Sequence, residues 1–250
     1  FPLHVDYQAL IDGTNGDTRL TVIDARFLGS SLHATGAVLG APKGQHGRTI
    51  TLDVAMDKSR IEDIMTMVVA TATPPIVGGL TLTTTFVLPP GPDDVAERLR
   101  LDGRFALSRA QFTDDGVQGQ IEGLIRRGRL KTPAPKPERV ASDFQGRFTL
   151  ANGRLVLPEV TFAVPGARVE LAGTYGLKAE TIAFKGRLLL DASISQTTTG
   201  WKSVLLKPVD PLFKQEDGTG SAIPIRISGT RKAPDFGLDV GRVFKRGGAP

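Results

Sequence analysis

The chain has 250 residues and a formal net charge of +5, with 31 basic side chains set against 26 acidic ones. Hydrophobic residues make up 40% of it, which is enough to bury a core and excludes a disordered chain. Cysteine is absent, so disulfides and cysteine-ligated metals are excluded. An aromatic content of 6%, without aromatic and basic residues interleaved, argues against a nucleic-acid-binding surface.

The first half of the chain alternates apolar and polar residues, a pattern typical of half-buried strands. The 29 glycines and 17 prolines favour many turns over long helices, and Asn15-Gly16 is one such turn. Ser59 to Glu62 has the spacing of a capping box and predicts a helix to about Ala70. Pro92 predicts a second short helix through Leu99. The clearest alternating positions here are Ile50, Leu52, Val54, Met56, Leu80, Leu82, Phe86 and Leu88.

The second half repeats a short motif in which glycine precedes a basic residue within alternating apolar positions. It occurs at 101–107 (LDGRFAL), at 144–150 (FQGRFTL) and more weakly at 184–190 (FKGRLLL). Such a glycine predicts a strand bend or a close approach of the backbone, and the repetition predicts a sheet extended by successive hairpins. Thr132 to Arg139 holds three prolines in five residues and predicts an exposed loop within one continuous β-rich body spanning residues 1–250.

The most regular two-faced pattern runs from Ile182 to Ile194, with apolar residues at even positions and Lys185, Arg187 and Asp191 on the opposite face. Trp201 is the only tryptophan, and we expect it to anchor its segment at a core, an interface or a lipid boundary. No stretch approaches the roughly 20 apolar residues of a membrane span. Because the chain starts at Phe1, within a strand-like run, we expect it to be a fragment or a processed piece.

The residues give no catalytic constellation, and we expect a protein that is not an enzyme and needs neither a cofactor nor a metal. His4, His33 and His46 lack metal-ligand spacing. The glycine-rich stretch from Gly40 to Gly47 lacks the Gly-Lys-Ser/Thr ending of a phosphate-binding loop, so a hairpin loop is the better interpretation.

Several stretches of the second half resemble one protein family. They are 196–203 (QTTTGWKS), 207–214 (KPVDPLFK), 223–231 (IPIRISGTR) and 144–153 (FQGRFTLANG). Together they are similar to the C-terminal region of the AsmA-like proteins of the bacterial envelope, and the resemblance covers most of the chain from about residue 59 onward.

The resemblance implies a mainly β fold: an elongated, curved antiparallel sheet of amphipathic strands with an apolar groove and a few short helices. It also implies phospholipid carried in that groove between the inner and outer membranes, and a periplasmic body tethered to the inner membrane in the full-length protein. Envelope proteins and membranes are further expected partners, and nucleic acid is not. The alternating pattern supplies these groove candidates: Phe148, Leu150, Phe162, Val164, Leu171, Phe184, Leu188, Leu190, Ile194 and Ile225.

Two other classes of function compete with a lipid groove. A structural or interaction module would bind another envelope protein through an open strand edge. An enzyme on a jelly-roll-like sheet is the third class, and the lack of paired acids and aromatic platforms argues against it.

Overall fold

The computed structural model describes residues 2–41, 46–69, 74–113, 140–164, 167–191 and 220–239, together with residues 119 and 123. These residues form twelve strands and two short helices. In chain order the elements are β1 (Leu3–Ile11), β2 (Thr18–Phe27), β3 (Ser30–Gly40), β4 (Arg48–Arg60), α1 (Ile61–Val69), β5 (Ile76–Leu88), α2 (Val95–Arg98), β6 (Arg100–Phe112), β7 (Val140–Ala151), β8 (Arg154–Val164), β9 (Ala167–Gly176), β10 (Thr181–Asp191), β11 (Gly220–Thr230) and β12 (Ala233–Leu238).

The twelve strands form one antiparallel sheet in which every strand pairs with its sequence neighbour. The sheet is open, with β1 and β12 at its two edges. The mainly β fold predicted from the alternating pattern is therefore confirmed. The turn at Asn152-Gly153 joins β7 to β8 with φ angles of 50° and 65°, the left-handed conformation that these two residues favour in tight hairpins.

The cross-strand register places most of the apolar residues of the twelve strands on one face. Leu80 lies opposite Leu107, which in turn lies opposite Phe144. The pairing continues to the last strands, where Val169 lies opposite Leu188. We call this side the groove face and the opposite side the outer face. One cluster of buried side chains on the groove face extends from Phe27 to Ile225, and it contains most of the core of the described residues.

An oblique line of irregular residues crosses four neighbouring strands of the sheet. Each has a positive φ angle, and they are Lys58 in β4, Gly78 in β5, Arg109 in β6 and Asp143 in β7. The register shifts beside Lys58 and Gly78 mark β-bulges, which bend the strand and increase its twist. Beyond the line, Ala110 and Ala141 face each other with 0% of their surface exposed. The bulges thus bend the strand ends where the groove face is most fully buried.

Helix α1 is attached to the β2–β3 hairpin by a buried carboxylate. The carboxylate of Asp63 accepts a hydrogen bond from the Gly29 amide at 3.0 Å and another from the Ser30 hydroxyl at 2.7 Å. On its inner side Ile61, Ile64 and Met65 pack against the core cluster. The helix is therefore held across the ends of β2, β3 and β4 and covers the core there.

The predicted capping box is wrong, although the predicted helix is present. Ser59 is the penultimate residue of β4, and its hydroxyl donates to the Ser31 carbonyl at 2.7 Å instead of capping the helix. The chain remains paired as a strand to Arg60, so the helix begins at Ile61. The second helix, α2, spans only Val95–Arg98 and is shorter than the stretch predicted from Pro92 to Leu99.

Thr132 to Arg139, predicted as a proline-rich loop, lies outside the described residues. The strands before and after it, β6 and β7, are paired over most of their length and belong to the same sheet. In the described part of the chain, no helix is long and apolar enough to cross a bilayer.

Glu62, on the first turn of α1, connects the helix to two neighbouring strands. Its carboxylate lies 2.6 Å from the Arg60 guanidinium and accepts a hydrogen bond from the Gly78 amide at 3.1 Å. Burial raises the pKa of Glu62, but hydrogen bonds from backbone amides and from Arg60 outweigh it, so the pKa lies below its ordinary value of 4.5.

We predict that Glu62→Gln lowers the stability of the chain at neutral pH, by about 1 kcal/mol. A folded-state pKa below the ordinary value means that the ionised carboxylate stabilises the fold. This contribution is complete above the ordinary value of 4.5 and is lost as the pH falls through the lower, folded-state pKa. Urea unfolding at a series of pH values should show the difference between variant and wild type shrinking in acid. A constant difference would contradict the role of the charge.

Candidate functional site

The groove face holds every predicted lipid-groove residue that the structure describes. Cross-strand pairing places them in successive rows, for example Phe162 opposite Val169 and Leu171 opposite Gly186. The full set found on this face is Phe148, Leu150, Phe162, Val164, Leu171, Phe184, Leu188, Leu190 and Ile225. Ile194 and Trp201 lie outside the described residues, so the anchoring role predicted for Trp201 stays a prediction.

Exposure divides the groove face into two zones. We call the strand ends beside α1 the α1 rim, and the opposite ends, where α2 joins β5 to β6, the α2 rim. Toward the α1 rim, Leu188 and Phe162 retain 2% and 5% of their surface and act as core. Toward the α2 rim most apolar residues, such as Phe184 and Tyr175, are only half-buried, and Leu150, at 6%, is an exception. The half-buried zone is the part of the groove face where an apolar ligand has access.

Five phenylalanines on β6, β7 and β8 form a continuous ladder along the groove face. Phe144 stacks on Phe162 with ring centroids 4.8 Å apart and an interplanar angle of 7°. The other contacts have centroid separations of 5.9 to 6.3 Å and join Phe105 to Phe144, Phe105 to Phe148, and Phe112 to Phe162. Since aromatic pairs at this spacing attract one another beyond simple burial, the ladder fixes the floor of the groove at its centre.

Glycines on the groove face make room for large apolar neighbours. A β-carbon added to Gly146 would lie 2.9 Å from the Phe105 ring, and one added to Gly173 would lie 2.6 Å from the Phe184 ring. Three more glycines have the same relation to a cross-strand partner: Gly36 to Leu52, Gly103 to Phe148 and Gly186 to Leu171. The close approach predicted for the repeated glycine motif is confirmed. Each glycine lets a large side chain lie flat along the sheet, which keeps the groove face shallow.

The outer face is polar and carries cross-strand ion pairs. Arg187 lies 2.8 Å from Glu170, and Lys185 lies 3.6 Å from Asp239. A shallow depression of about 480 Å³ on this side is bordered by charged side chains that include Asp53, Arg104 and Arg147. Because strand side chains alternate, each strand presents a solvated face and an apolar face back to back.

The described residues contain no group of three side chains able to hold a metal ion. His33 is hydrogen-bonded to Asp24 at 2.9 Å and His4 lies 3.3 Å from Asp6, both at exposed positions on the outer face. The arrangement on the groove face offers apolar contact and ring surfaces. Such a face can make non-covalent contact with an apolar molecule.

Sequence reasoning left several half-buried residues out of the groove. They share the alternating pattern of the chosen candidates, and they are Leu52, Phe86, Leu101, Leu155, Tyr175 and Ile182. Their exposure depends on which end of each strand is covered, and an alternating pattern does not carry that information. The candidate set therefore leaves out much of the accessible part of the groove face.

The fold and the groove face define a class of molecule: an open, single-layer antiparallel sheet with one apolar face. Comparison with known proteins gives no relative to place beside it. No protein-family model, curated protein or solved structure matches the chain.

We predict that Gly186→Ala destabilises the chain, although alanine is normally preferred to glycine in a strand. The added β-carbon would lie 1.9 Å from the Glu170 carbonyl oxygen, so β9 must move. We expect a loss of roughly 1–3 kcal/mol in chemical unfolding. Gly13→Ala is the matched control, because nothing lies within 4 Å of its added carbon. Equal stability of the two variants would contradict the packing described for the groove face.

Proposed function

We propose that this chain is a non-catalytic envelope protein that binds phospholipid acyl chains along its groove face and supports their transfer between the inner and outer membranes. The observation that carries the proposal is the continuity of the apolar face. Apolar positions stay in register from Phe27 in β2 to Phe236 in β12, without an intervening polar strand.

The dimensions of the sheet suit a path for an extended chain molecule. Neighbouring strands lie about 4.8 Å apart, so twelve strands span roughly 50 Å across the sheet. A lipid lying across the strands would meet one apolar row after another. Each methylene group removed from water contributes about 0.8 kcal/mol, so even part of an acyl chain would bind favourably.

The partial exposure of the groove face supports a removable ligand. Phe184, Tyr175 and Leu155 are half-buried although they lie on the same face of the sheet as the buried core cluster. An apolar face that the protein itself does not fully cover gains free energy when another apolar molecule covers it. An acyl chain can do so while its headgroup stays in water beyond the rim.

The setting proposed for this activity comes from the resemblance to AsmA-like proteins. In that setting the sheet lies in the periplasm, the full-length protein is tethered to the inner membrane, and no cofactor takes part.

The proposal is tested by crosslinking from two adjacent residues on opposite faces of β10. Benzoyl-phenylalanine at Phe184 keeps an aromatic ring above Gly173 on the groove face, whereas the same probe at Lys185 points to the outer face. We expect irradiation of cells to give phospholipid adducts at position 184 at least about tenfold above those at 185. Circular dichroism checks that both variants fold. Folded protein with equal adducts at both positions, or none at either, would reject lipid binding at this face.

A second candidate function, a protein-interaction module, is favoured by the exposed edge strand β1. Nine residues long, β1 has no proline within it, and its groove-face residues Leu3, Val5 and Tyr7 are 61%, 43% and 67% exposed. The other edge, β12, has six residues and includes Pro234, a residue that blocks strand addition. An added strand at β1 would extend the sheet and the groove face together.

The two candidates predict different effects of Tyr7→Lys, which places a charge on the β1 edge. If strand addition is the function, the variant loses its assembly with a partner, measured by analytical ultracentrifugation of cell extracts containing labelled protein. If lipid binding is the function, adducts at position 184 are retained, because Phe184 lies in β10, far across the sheet from β1. Loss of adducts together with loss of assembly would show that lipid binding requires the extended sheet.

A further inference from the structure

Strand β1 holds a concentration of exposed apolar side chains at one edge of the sheet. Among the described residues, ten large hydrophobic side chains are exposed, and five of them belong to β1. Four lie on the groove face, and the fifth, Leu10, lies on the outer face. An edge strand has a neighbour on one side only, so a strand added beside β1 would bury part of this apolar surface.

The β1 edge lacks most of the features that block pairing between sheet edges. Natural edge strands are protected by short length, by proline, by lysine or by a bulge. β1 has nine residues, and neither proline nor lysine occurs within it. The irregularity in its pairing with β2 places the extra residue, Thr21, in β2, so β1 itself keeps a regular alternation. The free side of β1 is therefore open to another strand.

The groove-face residues of β1 complement a second copy of the same strand. Residues directly opposite each other in an antiparallel pair lie on the same face of the sheet. A two-fold axis at Tyr7, the middle residue of β1, would pair all nine residues with a second β1. Tyr7 would then lie opposite Tyr7 of the second copy, and Leu3 and Val5 would lie opposite its Ile11 and Ala9. Every groove-face pair in this register is apolar or aromatic, and such pairs stabilise sheets.

The outer-face residues of β1 favour the same register. With the axis at Tyr7, the Asp6 carboxylate lies opposite the Gln8 amide of the second copy, which can donate a hydrogen bond to it. Moving the axis by one residue, to Asp6, would place two carboxylates opposite each other, and like charges in that position destabilise a sheet. The register with the longest overlap is thus also free of opposed like charges.

The other edge of the sheet favours a closed pair over an open chain of copies. Pairing of β1 with β12 of the next copy would be head-to-tail and would leave a free edge at each end. β12 has only six residues and includes Pro234, which has no backbone N–H to donate. Pairing of β1 with β1 uses the longer edge twice and closes with two copies.

We propose that two copies of this chain pair through β1 about a two-fold axis at Tyr7 and form one continuous antiparallel sheet. Because this axis is perpendicular to the sheet, both groove faces lie on the same side, and the apolar face spans twice the twelve strands of one copy. The dimer rests on strand addition at β1, and it identifies the partner as a second copy. It does not depend on lipid binding.

Cysteine crosslinking tests the register, because the chain has no cysteine of its own. In the proposed dimer the Cα atoms of the two Tyr7 residues lie about 4.5–5.5 Å apart, a separation that a disulfide can bridge. Oxidation of purified Tyr7→Cys should give covalent dimers at least about tenfold above those of Leu238→Cys. Leu238→Cys is the matched control, because Leu238 is an exposed apolar residue on β12, the other edge strand.

A second cysteine pair distinguishes the proposed register from other contacts at β1. The two Val5 residues would be offset by about 14 Å along the strand, so Val5→Cys alone should not crosslink. Adding Ala9→Cys to Val5→Cys should restore covalent dimers, because these positions lie opposite each other across the axis. Equal crosslinking of Tyr7→Cys and Leu238→Cys, or of Val5→Cys with and without Ala9→Cys, would overturn the proposal.

Sedimentation of the purified protein tests the dimer without any crosslink. Wild type should sediment as a dimer, and Tyr7→Lys as a folded monomer, because it places two lysines opposite each other on the axis. A monomeric wild type would overturn the proposal. If assembly in cell extracts were still lost in Tyr7→Lys, strand addition would stand with a different partner. Lipid adducts at position 184 report on the groove face separately, so failure of the dimer and failure of lipid binding are distinguishable.

Discussion

A single-layer sheet can pair all of its interior backbone groups and still leave one apolar face without cover, and the structure of this chain follows from that constraint. Every interior strand is satisfied by its two sequence neighbours. Hydrogen bonding therefore does not require a second layer. The remaining requirement is to remove the apolar groove face from water. The apolar surface to be covered is large, because the register places most apolar residues of the twelve strands on one side.

The chain covers part of that face with its own backbone geometry. The bulges at Lys58, Gly78, Arg109 and Asp143 bend four strands along one line, and α1 is bonded across the adjoining ends through Asp63. Neither device reaches the α2 rim, where most apolar residues of the groove face stay half-buried and Leu150, at 6%, is an exception. From β4 to β7, the bulges and the helix thus lie at the end of the strands where the groove face is most fully buried.

Much of this fold could be predicted from the sequence, because a period of two and glycine-containing turns are local signals. The pattern from Ile182 onward placed Phe184, Leu188 and Leu190 on one face, and the structure confirms it. The bulges at Lys58 and Arg109 could not be predicted, since lysine and arginine carry no signal for a φ angle near 50°. The helix start was misplaced because Ser59 bonds to Ser31, a partner 28 residues away that a capping motif cannot reveal. The exposure of the groove-face residues was missed for the same reason, because it depends on covering residues that are distant in the sequence.

The repeated glycines link the folding constraint to the proposed binding. Upright phenylalanines on neighbouring strands would fill the space above the sheet and leave no continuous groove. With glycine opposite, the rings of Phe105, Phe148 and Phe184 lie down over the partner backbone, and each contact still buries a ring. The glycines that let a thin sheet bury these rings also keep its apolar surface low and smooth. Such a surface suits a ligand that slides, like an acyl chain, better than a ligand that must be held in one orientation by polar contacts.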